Sequence, residues 1–241
     1  MVELLEQALL TGMLSTGHDL SFRRIDGDKR SRVLYFLPWH LPYELAKRAG
    51  MLPLNFLACY QMPISIISSI PQRCVDAMEL LVADADDVVS AAGANKKQML
   101  IVGLSIGNFP ATILANRWGT RLCSVCSADR GDWMIWESPA AQSVKAQAIA
   151  EGFTRTDFER ALDGYHPIQN LDNLAPQSYF FTSRTDPVVP EARIKGLEKK
   201  VAEAASRPLF ISTRGGHFPT MIKSGALQIR MSQLALDNAA A

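Results

Sequence analysis

The chain has 241 residues, 48% of them hydrophobic, which is enough to bury one sizeable core. Its 25 basic residues balance 24 acidic ones, and without a long basic run to track phosphates a nucleic-acid partner is excluded from the expectation. No uninterrupted apolar stretch approaches membrane-spanning length, and Met1-Val2-Glu3-Leu4-Leu5-Glu6 carries acids where a secretory signal has Lys or Arg, so a cytoplasmic protein is expected.

In chain order, Leu20 to Ile25 reads as an early strand, Arg32 to Leu37 as a second and Leu54 to Tyr60 as a third. A helix is predicted from Pro71 to Ala92, with Pro71 suited to its first turn and Gly93 placed to stop it. The apolar run Met99 to Val102 is a strand that leads through Gly103-Leu104-Ser105-Ile106-Gly107 into a helix from Phe109 to Trp118. Arg121 to Ala128 reads as a buried strand. Its Cys123 and Cys126 match C-x-x-C, but positions three apart on a strand face opposite sides, so these thiols and those of Cys59 and Cys74 read as structural.

Between Asp129 and Asn173 the pattern turns helical. One helix starts at Ser138-Pro139 and ends before Gly152, and a shorter one ends near Gly164, with Thr156 and Glu159 as its capping box. Ser178 to Thr182 and Pro208 to Ser212 are further strands. The helix between them, Pro190 to about Ala205, repeats Ile194, Leu197, Val201 and Ala204 at the spacing of one buried face. A helix from Thr220 to Asp237 closes the chain. Alternating strands and helices predict a mostly parallel sheet covered on both faces.

Ser105 stands between two glycines at a strand-to-helix turn, where a serine with a strained backbone projects its hydroxyl beyond the strand end. A serine bounded by glycines can also simply end a strand. Two later loops narrow the choice. Asp186 follows a strand in Ser183-Arg184-Thr185-Asp186-Pro187-Val188-Val189-Pro190, and His217 follows another in Thr213-Arg214-Gly215-Gly216-His217-Phe218. Asp129 and Asp132 also follow a strand and are rival acids. His18 and His166 read as surface or packing residues.

On Gly103 to Gly107, Asp186 with its Pro-Val-Val-Pro tail, Gly215-Gly216-His217-Phe218 and, less specifically, Tyr165 to Leu171, the sequence resembles the α/β-hydrolase superfamily from about Leu34 onward. The resemblance implies one α/β domain over residues 1–241, with a central sheet of about six to eight strands, shortened at its N-terminal edge. A small helical cap is expected at 129–173. It implies Ser105 as nucleophile, His217 as general base and Asp186 as the acid that orients it. The backbone N–H of Ile106 is the expected first oxyanion donor. The second belongs to Leu37-Pro38-Trp39-His40-Leu41-Pro42, where relatives often show His-Gly; Pro38 has no N–H, so Trp39 is the first choice and His40 the second. His40, Trp133, Met134, Trp136 and Phe218 are candidate pocket residues. The implied reaction is hydrolysis of a carboxylic ester with a small to medium apolar acyl group, through an acyl-enzyme and without metal or organic cofactor. Thioester or amide hydrolysis is the alternative within the fold, and a non-catalytic ligand-binding homologue the alternative outside catalysis. The expected partner is a small molecule, and the oligomeric state stays open.

Overall fold

The computed structural model describes residues 18–239. The acidic N-terminal segment Met1 to Glu6 lies outside them. Seven strands form one sheet in the order β1-β3-β2-β4-β5-β6-β7: β1 Arg23–Asp26, β2 Val33–Phe36, β3 Ala58–Gln61, β4 Leu100–Leu104, β5 Arg121–Val125, β6 Tyr179–Ser183 and β7 Leu209–Thr213. β1 pairs antiparallel with β3, and every other pairing is parallel. The helices are α1 Tyr43–Arg48, α2 Pro71–Ala91, α3 Asn108–Trp118, α4 Asp132–Trp136, α5 Gln142–Ala150, α6 Arg155–Ala161, α7 Glu191–Glu203 and α8 His217–Ala239.

The central strands are apolar on both faces because both are covered, and every residue of β2 and β4 is buried. Alternation along each strand splits the core into two layers. Leu34, Phe36 and Ile101 pack with Val75, Met78 and Leu81 of α2 and with Phe109 and Leu114 of α3. Tyr35, Val102 and Leu104 face the other way, onto Ala46 of α1 and Met221 and Met231 of α8. β1 is one exposed edge of the sheet, and its Arg24 is held by Asp26 and Asp84, a charged edge of the kind that discourages pairing with other chains.

Several boundaries differ from expectation for local reasons. β1 starts later because Ser21 is turned by Asp19, which accepts its N–H at 2.8 Å and its hydroxyl at 2.6 Å. β3 starts at Ala58 because Phe56 and Leu57 offer their carbonyls to the loop N–H groups of Asp28 and Gly27. β5 stops at Val125 because Cys126 takes a left-handed backbone, φ 56°. That turn places Cys123 and Cys126 in the same core layer rather than on opposite faces. All four cysteines are buried and none forms a disulfide, and burial pushes the Cys74 and Cys123 thiols up to about 12.

α4 was not foreseen. The capping box of α6 is formed by Thr154 and Asp157 rather than Thr156 and Glu159: the Asp157 carboxylate accepts the Thr154 N–H at 2.8 Å. Glu159 instead meets Arg155 one turn back. α8 begins three residues earlier than expected, at His217, with Pro219 in its first turn.

Candidate active site

Five chain segments meet beyond the C-terminal ends of β2, β4, β5, β6 and β7, the end of a parallel sheet where open α/β folds place their sites. At the end of β4, Ser105 holds φ at 53°, a left-handed value that costs a serine strain and lifts its side chain off the strand. The flanking glycines are required by contact. A Cβ on Gly103 would stand 2.7 Å from the Asn108 Cα, and one on Gly107 would stand 2.3 Å from the Phe36 carbonyl oxygen.

Asn108 is the residue that motif reading missed. Fully buried, it donates from Nδ2 to the carbonyls of Ser105 at 2.7 Å and Val125 at 2.6 Å, and its Oδ1 accepts the Val125 N–H at 3.1 Å. It therefore ties the serine turn to the end of β5. Its signal in the sequence is an amide placed directly after the glycine, at the start of a mostly apolar helix.

Asp186 sits in the loop after β6 with its side chain 1% exposed. Its Oδ1 accepts the N–H groups of Val188 at 2.8 Å and Val189 at 3.0 Å, which fixes the carboxylate plane and leaves Oδ2 for His217. Burial pushes its pKa up. The electrostatic pull and hydrogen bond of His217 and the two N–H groups outweigh that, and hold the carboxyl below its ordinary range.

His217 completes the chain of contacts. Its Nδ1 lies 2.7 Å from Asp186 Oδ2 and its Nε2 lies 2.8 Å from Ser105 Oγ. An ionised carboxylate only accepts, so Nδ1–H donates to Asp186, and Nε2 is left to accept from the serine hydroxyl. The two loops are also joined through their backbones. The Gly215 carbonyl accepts from the hydroxyls of Ser183 and Thr185, and the Gly215 N–H donates to Thr185 Oγ1 at 3.1 Å. Cys126 Sγ donates to the His217 carbonyl at 3.4 Å.

The rival carboxylates point elsewhere. Asp132 is fully buried and receives Arg130 at 2.8 Å and Arg155 at 3.1 Å, while Asp129 receives Arg193 at 3.3 Å. Burial pushes Asp129 up against the pull of Arg193. His166 accepts the Gly131 N–H at 3.1 Å, and His18 meets Ser68, which are packing roles.

The loop after β2 borders the serine turn, since Gly107 approaches the carbonyls of both Phe36 and Leu37. The Trp39 indole is buried, donates to the Ile64 carbonyl at 3.2 Å, and packs 4.4 Å from the His40 ring. A cavity of about 20 Å³ lies beside Ile106, walled by Ile66, Met78, Phe109, Met134 and Leu162 among others. Of the candidate pocket residues, Met134 is brought to this cavity. Trp133 is buried in the main core layer, Trp136 packs edge-on against Phe158 at 5.9 Å, and Phe218 joins the opposite layer edge-on to His217.

No protein-family model and no curated protein matches the sequence. Solved structures do match by shape. The uncomplexed acylaminoacyl peptidase of Pyrococcus horikoshii is 9% identical over 88% of this chain and 39% of its own, with a TM-score of 0.61. A Streptococcus agalactiae glycosylation associate protein complex, Gap123, is 16% identical over 86% of this chain and 42% of that one, TM-score 0.58. A structure from work on carboxylesterases of the ammonia-oxidizing thaumarchaeon Nitrososphaera gargenis is 14% identical over 92% and 96% of the two chains, TM-score 0.53. The chain thus spans about two fifths of the length of the peptidase and of the Gap123 chain. With its seven-stranded, mostly parallel sheet between helical layers, the chain has the α/β-hydrolase fold. Among the described residues, no helix is long and apolar enough to cross a membrane.

Proposed function

We propose that the protein is a serine hydrolase that cleaves a carboxylic ester through an acyl-enzyme. The observation that carries this reading is the continuous contact from Asp186 through His217 to Ser105, at 2.7 and 2.8 Å. Ser105 Oγ attacks the ester carbonyl carbon while His217 Nε2 takes its proton. Asp186 holds the imidazole tautomer and stabilises the imidazolium. The same proton then goes to the leaving alcohol, and water, activated by His217, releases the acid. The N–H groups of Ile106 and Trp39 are the proposed oxyanion donors, each worth about 3 kcal/mol of transition-state stabilisation.

Residues 129–173, with α4, α5 and α6, are read as a cap inserted in a single domain. Its Met134 and Leu162 line the small apolar cavity beside Ile106, and that apolar lining supports an apolar acyl group. Four buried cysteines, none in a disulfide, fit a reducing, cytoplasmic compartment. Thioesters and amides share the same tetrahedral route, and a panel of both separates them.

The test is covalent capture by a fluorescent fluorophosphonate. Wild type labels, and Ser105→Ala and His217→Ala do not. Folded wild type that stays unlabelled at high probe concentration rejects the hydrolase and leaves ligand binding without turnover.

A further inference from the structure

Cys126 has no part in the proposed reaction, yet it stands beside two groups that do. One ligand atom from each of Cys126, Asp186 and His217 lies within 4.8 Å of the other two, and the three residues come from three separate segments: the turn after β5, the loop after β6 and the start of α8. The left-handed backbone of Cys126 turns it off β5, where its Sγ meets the His217 carbonyl at 3.4 Å. Cys123, on the strand itself, is not part of the group.

We propose that Cys126, Asp186 and His217 bind a zinc ion that switches off the hydrolase site. Thiolate, imidazole and carboxylate form a zinc donor set, and bonds of about 2.0–2.3 Å in a tetrahedron put ligand atoms about 3.3–3.8 Å apart. The site reaches that spacing when the 2.7 Å contact between Asp186 and His217 opens by about 1 Å and Cys126 closes in by a similar distance. Water takes the fourth position.

Zinc bonds to the Cys126 sulfur, whose proton goes to solvent, and to His217 Nδ1, whose proton is replaced by one on Nε2; no electron is transferred. His217 then presents an N–H to Ser105 in place of a lone pair, so it cannot take the serine proton. The binding step stands independently of catalysis, and only the inhibition rests on the hydrolase reading. The side chains of His217 and Asp186 are each 1% exposed, so the ion enters as the loops open and inhibition develops with time.

The experiment uses the full chain, stripped with a chelator, and adds zinc or cobalt alone. Cobalt should bind at one equivalent with a thiolate-to-metal absorption band that zinc displaces. Zinc should slow fluorophosphonate labelling of Ser105 by about a hundredfold, the size of losing a general base, and chelator should restore it. Cys126→Ser keeps a hydroxyl for the His217 carbonyl, so it should label at the wild-type rate, without the cobalt band and without inhibition by zinc. Absence of the thiolate band in wild type, or equal inhibition in Cys126→Ser, overturns the site. A cobalt band in a protein that no probe labels supports the metal site while removing the hydrolase reading, and the band on wild type decides the matter even if Cys126→Ser fails to fold.

Discussion

Ser105 is held in a backbone conformation that costs a non-glycine residue about 1–3 kcal/mol, so something nearby must over-determine it. Asn108 does so, with three hydrogen bonds that couple the serine carbonyl to the end of β5. Truncation to Asn108→Ala leaves two carbonyls and one N–H buried without those partners, and should cost about 1–3 kcal/mol per unsatisfied group. Urea denaturation would show the loss, and fluorophosphonate labelling should slow as the serine turn relaxes. A variant as stable and as reactive as wild type would show that Asn108 is a bystander. Gly103, Ser105 and Gly107 were legible as a motif because they fall within one five-residue turn, although the contact that requires Gly107 is with Phe36 of β2. Asn108 was not, since its partner Val125 is a neighbour only in space.

Among the elements, the segment bearing α4, α5 and α6 is tied to its surroundings by charge. Arg193 of α7 reaches Glu137 at 3.1 Å and Asp129 at 3.3 Å, and within the segment Arg155 of α6 reaches Asp132 at 3.1 Å and Glu137 at 2.8 Å. These arginines are partly exposed, so solvent screens the pairs, and the buried Asp132 is the member that most needs its partners. With the segment held this way, Met134 closes the small cavity beside Ile106. Met134→Ala should enlarge that cavity and shift the preferred acyl chain to a longer one. The check is kcat/KM across p-nitrophenyl esters of graded chain length: a profile that does not move would place the acyl group elsewhere. Binary patterning showed that this segment was helical. It gave the capping box to the wrong threonine, because Thr154 and Thr156 both precede an acid by three residues and only packing selects between them.

For the whole molecule, Asp186 links the site to acid stability. Its pKa is lower folded than its ordinary value of 3.8, so its contribution is fully present above that value and fades as pH falls through the lower, folded one. Asp186→Asn should therefore be less stable than wild type near neutrality. The gap should narrow below about pH 4, as the wild-type carboxyl also becomes neutral. Urea midpoints from about pH 7 to about pH 3 measure it, and a gap that stays constant would mean the lost stability comes from packing rather than charge.

The sequence by itself determined the alternation of strand and helix, the serine turn and the chain order of Ser105, Asp186 and His217, because periodicity, glycine spacing and loop position are properties of residues near one another along the chain. Only the tertiary structure decided which of three aspartates reaches His217, which candidate pocket residue meets the cavity, and that Cys126 rather than Cys123 lies beside the histidine. Asp129, Asp132 and Asp186 all follow strands at the same end of the sheet. What separates them is the direction each loop takes after its strand, set by packing between segments that lie far apart in the chain.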